Sequence, residues 1–216
     1  MLSDAVGDLL PSAIAVALSP IPIVAVVLVL GSQHARTAGP AFAIGWIAGL
    51  AVVSAVVVLV LSGSGDADSD DPGGAWLKLT IGILFLFMAA QQWKKRPKEG
   101  KAPEMPKWMA TVDTATAPKA ALLGLALSGA NPKNLALTLA AGASIAEAGL
   151  DPADETIAVA VFVALGSLTV AGAVLAYLLG GDRAARPLAA IRRVMSDNNA
   201  VIMMIVLLVL GAKFIG

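Results

Sequence analysis

The chain has 216 residues, 58% of them hydrophobic and 14% charged, with a mean hydropathy of +0.83. Soluble domains are about half apolar and a quarter charged, so this composition excludes an ordinary water-soluble domain and predicts one integral-membrane helical bundle over residues 1–216. Fifteen basic and fifteen acidic residues cancel, the basic ones lie beside apolar runs instead of on one folded face, and cysteine is absent, which excludes a nucleic-acid footprint, disulfides and thiolate metal sites.

Residues 1–8 carry Asp4 and Asp8 and no Lys or Arg, so the apolar run from Leu9 reads as a retained first span, about 9–30, and not as a signal peptide. Ser19-Pro20-Ile21-Pro22 interrupts it, because proline removes a backbone donor and clashes with the preceding turn. After His34 and Arg36 comes a second span, about 40–61, in which Gly45-x-x-x-Gly49 offers a flat surface for close helix approach. The loop 62–74 holds Asp66, Asp68, Asp70 and Asp71; a calcium loop would end in a Glu that is missing, so the loop reads as solvated and acidic. The third span, about 75–93, carries Trp76 and Trp93 17 residues apart, about 25 Å at helical rise and suited to an aromatic belt at each interface.

The connection 94–118 opens with Lys94, Lys95, Arg96, Lys98 and Lys101. Pro103, Pro106 and Pro118 argue against one continuous helix there, while Trp108 and Met109 suit the membrane interface. A fourth span, about 119–146, precedes an acidic loop with Glu147, Asp151, Asp154 and Glu155, and a fifth span covers about 156–179. Residues 182–198 set Arg183, Arg186, Arg192 and Arg193 beside Leu188, Ile191, Val194 and Met195, an amphipathic stretch expected on the membrane surface. The sixth span, about 199–214, ends the chain.

Twelve of the fifteen basic residues fall in the first, third and fifth loops and their flanks; Lys78 and Lys213 lie on the other side, and Lys133 lies inside a span. The positive-inside rule then places loops one, three and five in the cytoplasm and both termini outside.

Lys133 belongs to Asn131-Pro132-Lys133-Asn134, which interrupts the fourth span. Lysine deep in hydrocarbon costs about 2.5–3.5 kcal/mol on insertion scales, and proline breaks the helix at the same place. The phrase Ala17-Leu18-Ser19-Pro20 parallels Ala126-Leu127-Ser128, and Phe42/Gly45 parallels Phe162/Gly166. Two repeats of three spans each, about 9–93 and 119–216 around the basic loop 94–118, would be inverted relative to one another, because three is odd. Both breaks then lie roughly 15–17 Å deep at helical rise and meet at the midplane. Half-helix N-termini there suit an anionic group.

The expected substrate site is therefore Ser19, Pro20, Pro22, Asn131, Pro132, Lys133 and Asn134. Two plainer readings compete: the prolines as packing kinks, and Lys133 as a plug for freed carbonyls. The six spans contain no Asp, Glu, His or Cys, which argues against a divalent-metal site, a carboxylate proton relay and a catalytic base. No enzyme activity and no cofactor is expected. The bilayer and an anionic solute are the expected partners, a homo-oligomer is compatible with the sequence, and nucleic acid is not expected.

Ala17 to Ile23 (A-L-S-P-I-P-I), Pro106 to Met109 leading to Asp113, Asn131 to Leu135 (N-P-K-N-L) and Leu178 to Gly181 before the Arg-rich stretch together resemble the actinobacterial GAP family. Its members are the sulfolipid- or glycopeptidolipid-addressing proteins, a branch of the LysE exporter superfamily. The resemblance covers the chain in order. It implies a six-span, multi-pass plasma-membrane protein linked to moving cell-envelope glycolipids to the surface. Beside the transporter stands a rival reading from the residues, a scaffold docking lipid synthesis or export proteins through the basic residues 94–107, where positive-inside charge alone would also place lysines. Amino-acid exporters of the superfamily are similar through a proline pair and N-P-K, here Pro20, Pro22, Asn131, Pro132 and Lys133. Ile21 stands where those exporters usually have Gly, which disfavours a small amino-acid pocket and favours a larger substrate.

Overall fold

A computed structural model describes residues 2–63, 79–80, 83, 86–87, 89–91, 93, 112 and 115–215. Every element bounded within them is a helix: α1 (Leu2–Ala17), α2 (Pro20–Leu30), α3 (Ala35–Gly63), α4 (Ala117–Gly129), α5 (Pro132–Glu147), α6 (Pro152–Gly180), α7 (Asp182–Asp197) and α8 (Asn199–Ile215). The acidic residues Asp66 to Asp71, Trp76, the basic cluster Lys94 to Lys107, and Trp108, Met109 and Asp113 lie outside the described residues.

The 29-residue helices α3 and α6 are each long and apolar enough to cross a membrane. At helical rise each is about 43 Å long, more than a hydrocarbon core of about 30 Å. Two bent pairs have the length and composition of a broken span or a re-entrant loop, α1 with α2 at 48° and α7 with α8 at 65°. Membrane-crossing candidates thus number two to four among the described residues. The first helix begins at Leu2 and not at Leu9, since Asp4 favours a first helical turn. Pro40 sits inside α3 five residues from its start.

α3 is the centre of the bundle, packed along α4 and against α5, α6 and α2. Glycine decides the closest crossing. A Cβ at Gly45 would collide with the Ala121 carbonyl, one at Gly49 with Ser128 Oγ, and one at Gly124 with the Phe42 carbonyl. Gly45-x-x-x-Gly49 therefore does what its spacing predicts, letting α3 and α4 meet backbone to backbone. Phe42, Trp46 and Leu50 on α3 are fully buried, as is Phe162 on α6. Ile44, Val52 and Leu59 on α3, Leu122 on α4, and Leu168 and Leu175 on α6 are exposed, as lipid-facing side chains should be.

Connections are short and capped. Asp151 Oδ1 accepts from the backbone N–H of Ala153 at 2.9 Å and of Asp154 at 3.0 Å, fixing the start of α6 behind Pro152 at its first position. Ser62 Oγ donates to Glu155 Oε1 at 2.5 Å, tying the end of α3 to the start of α6. Gly181, at φ 52, turns α6 into α7 with a left-handed residue that only glycine adopts freely. α7 is the expected amphipathic helix: Ala184 and Leu188 are buried where it packs on α2 and α6, while Arg183, Arg186 and Arg193 are exposed.

Candidate functional site

Both predicted breaks are present. α1 ends at Ala17 and α2 starts at Pro20, with Ser19 extended between them (φ −67, ψ 112). α4 ends at Gly129 and α5 starts at Pro132, with Asn131 extended (φ −74, ψ 118). The cause is local: the residue before a proline is pushed out of the helical region, and Pro20 and Pro132 then begin a new helix at the position where a missing N–H costs nothing.

The polar groups at the breaks are used in different ways. Asn131 caps α5, its Oδ1 accepting from the Lys133 backbone N–H at 3.0 Å. Asn134 is fully buried and its Nδ2 donates to the Leu127 carbonyl at 2.9 Å. That carbonyl is one of those freed where α4 stops, so Asn134 holds the break closed on its α4 side. Lys133 points the other way. Its Nζ donates to Ser19 Oγ at 2.7 Å, joining residues 114 apart and linking the two breaks directly. Ser19 is buried. At the first break Thr169 Oγ1 on α6 donates to the Ala17 carbonyl at 2.5 Å. Pro20 and Pro22 are buried in α2, with Pro22 and Ile21 in its first turn. The remaining serines in this region serve their own helices, Ser128 Oγ donating to the Leu125 carbonyl and Ser144 Oγ to the Ala140 carbonyl.

Three buried oxygens near this level carry no partner among the described residues: Asn134 Oδ1, Thr138 Oγ1 and Ser167 Oγ. Asn134 and Thr138, four residues apart, share one stripe of α5 behind the Asn131 cap, with Lys133 about 100° or more around the helix. Thr138 was legible from that stripe. Ser167 and Thr169 carried no signal, each being one hydroxyl in a run of small and apolar residues, and only the packing of α6 on α1 brings Thr169 to the Ala17 carbonyl. Among the described residues no group of three or more His, Cys, Asp and Glu side chains could hold a metal ion.

The arrangement is chemically specific: one amine and one hydroxyl bridge two helix breaks, and residues 9–30 and 132–146, around them in sequence, contain no carboxylate. An amine so placed can exchange a neutral hydroxyl for an anionic oxygen without first breaking an ion pair. These features define a helical membrane protein with a polar centre built from interrupted helices. The model of the family described as Sap, sulfolipid-1-addressing protein, matches residues 9–216, and the chain belongs to that family. Membership makes it a lipid-addressing membrane protein. No curated protein and no solved structure matches the chain.

Proposed function

We propose that this chain is a membrane transporter for an anionic amphiphile of the cell envelope, a glycolipid or its head group, working by alternating access around the two breaks. The observation that carries this reading is the 2.7 Å contact from Lys133 Nζ to Ser19 Oγ across the breaks. Lys133 and Ser19 would receive the anionic group, Asn131 and Asn134 would hold the half-helix, and Pro20, Pro22 and Pro132 would keep the two helices open at this level. The family's description, which names a sulfolipid, supports a lipid cargo over an amino acid. In this reading the protein is a carrier and not an enzyme. It spans the plasma membrane six times as two inverted repeats, with both termini outside and loops one, three and five inside. It shares the LysE-type exporter architecture.

The test is lipid analysis of producing cells that carry Lys133→Met or Asn131→Ala. Surface-exposed glycolipid should fall at least several-fold while its intracellular precursor accumulates and membrane levels of the protein stay normal. Unchanged surface lipid with altered amino-acid efflux would move the cargo to amino acids. Unchanged lipid and efflux for both variants, at normal protein levels, would leave only a scaffold role.

A further inference from the structure

Away from the two breaks, positive charge gathers at one end of the bundle. Gly39 near the start of α3 faces Leu30 at the end of α2 and Val174 near the end of α6. α3 and α4 run parallel, because Gly45 faces Ala121 and Gly49 faces Leu125 one turn on, so the start of α4 shares this end. α7 follows α6 directly and begins here too. Arg36 of α3, Lys119 of α4, and Arg183, Arg186 and Arg193 of α7 are all exposed. Asp151, Asp154 and Glu155 belong to the opposite end, where Ser62 at the end of α3 donates to Glu155.

α7 presents three stripes side by side. Ala184 and Leu188, at i and i+4, are buried where the helix packs on α2 and α6, and Met195 continues their stripe half-buried. Next around the helix come Pro187, Ile191 and Val194, which are apolar yet exposed. Beyond them Arg183, Arg186, Ala190 and Arg193 follow i, i+3, i+7, i+10 and form one stripe about 15 Å long at helical rise. The two acids of α7, Asp182 and Asp197, are its first and last residues, so between them the helix is purely cationic. An interfacial helix needs this order: the apolar stripe enters the acyl region while the arginines beside it reach phosphate level. The bend of 65° between α7 and α8 agrees, since with α8 across the membrane α7 lies nearer to the membrane plane than to its normal.

The choice of cation adds to the geometry. All four basic residues of α7 are arginine, whereas the connection 94–118 holds five lysines and one arginine. Retention of positive charge on one side of a membrane is served by either residue. Phosphate recognition is served better by the planar guanidinium, whose paired N–H groups match two phosphate oxygens at once.

We propose that α7 is a binding site for anionic phospholipid. Arg183, Arg186 and Arg193 hold phosphate groups of the leaflet at this end of the bundle, and Pro187, Ile191 and Val194 sit among the acyl chains. The occupant is a membrane lipid because the two stripes adjoin: a soluble phosphate would use only the arginines, and a neutral lipid only the apolar stripe. The site is separate from the breaks, and neither Lys133 nor the transport reading is needed for it.

The experiment titrates the full chain in neutral detergent micelles with phosphatidylglycerol or phosphatidylcholine and counts bound lipid by native mass spectrometry. The parent should bind phosphatidylglycerol more tightly by about tenfold or more. Each of Arg183→Gln, Arg186→Gln and Arg193→Gln should weaken that binding about fivefold, the equivalent of about 1 kcal/mol. Ile191→Asn together with Val194→Asn should weaken it as well. Arg36→Gln, at the same end of the bundle but off α7, and Lys133→Met should leave it unchanged. Glycerol phosphate in large excess should not displace the lipid. Circular dichroism checks that every variant is folded.

Equal binding of the two lipids by the parent, a loss with Arg36→Gln as large as with the α7 variants, or displacement by glycerol phosphate would each overturn the inference. So would a loss confined to Lys133→Met, which would place the anionic lipid at the breaks, in favour of the transport reading and against the α7 site. If the α7 variants lose phosphatidylglycerol while Lys133→Met leaves surface glycolipid in cells unchanged, the α7 site stands and transport falls.

Discussion

Replacing Lys133 by methionine separates a lysine kept for function from one kept for structure. At the proposed midplane depth a lysine costs about 2.5–3.5 kcal/mol relative to an apolar residue. Its hydrogen bond to Ser19 Oγ at 2.7 Å returns about 1.5–3 kcal/mol if the amine is charged. The difference leaves Lys133→Met between neutral and about 2 kcal/mol more stable than the parent. Ser19→Ala behaves oppositely, since it strands the amine and should cost about 1–3 kcal/mol. In the Lys133→Met background that cost should nearly vanish, because losing both partners of a hydrogen bond is close to neutral, giving a coupling of about 1–3 kcal/mol. Reversible unfolding in mixed micelles titrated with dodecyl sulfate and followed by circular dichroism measures all four corners of the cycle. Surface lipid is measured in parallel. The expected combination is a variant that folds at least as well and does not export. If Lys133→Met destabilises by 2 kcal/mol or more, the amine is a structural member of the bundle and the substrate argument fails; if Ser19→Ala costs the same in both backgrounds, the amine and hydroxyl do not interact and the bridge between the breaks falls.

Other predictions concern how the breaks and the bundle are held. Gly45→Ala would place a Cβ 2.7 Å from the Ala121 carbonyl carbon and 2.9 Å from its Cα, against ordinary contacts of about 3.5–4.0 Å. Part of the strain of about 1–3 kcal/mol is offset by alanine's helix propensity, so the same unfolding assay should show a net loss. Gly172→Ala, with open space at its Cβ, should stabilise by up to about 1 kcal/mol. Thr169→Val removes the donor to the Ala17 carbonyl and should cost about 1–2 kcal/mol, read as a lower midpoint. Asp151→Ala strips the two backbone N–H groups at the start of α6 of their acceptor and should cost about 1 kcal/mol; Asp151→Asn should recover most of it.

Much of this molecule is written in short-range patterns. Composition and the length of apolar runs fix a membrane-embedded helical protein, because a backbone in hydrocarbon must satisfy its own hydrogen bonds. Proline and its preceding residue fix both helix breaks to within a residue or two, since the clash is local. The Gly45-x-x-x-Gly49 spacing announces a close crossing, while Thr138, one turn beyond Asn134, was missed. What each polar group does was not readable from those patterns. Asn131 and Asn134 look alike in the sequence, yet one caps α5 and the other binds the Leu127 carbonyl of α4. Lys133 and Ser19 are 114 residues apart, and nothing local in either segment names the other.

Sequence alone therefore determined that the chain is a membrane-embedded helical protein, where helices stop at Ser19 and Asn131, and that a cation sits beside the second of those stops. Each of these follows from interactions within a few residues of the chain. Only the tertiary structure decided that the two stops touch, that Gly124 lets α4 close onto α3, and that Thr169 secures the first break. Those facts depend on which helix faces rotate toward one another, and side-chain packing between distant segments sets that rotation.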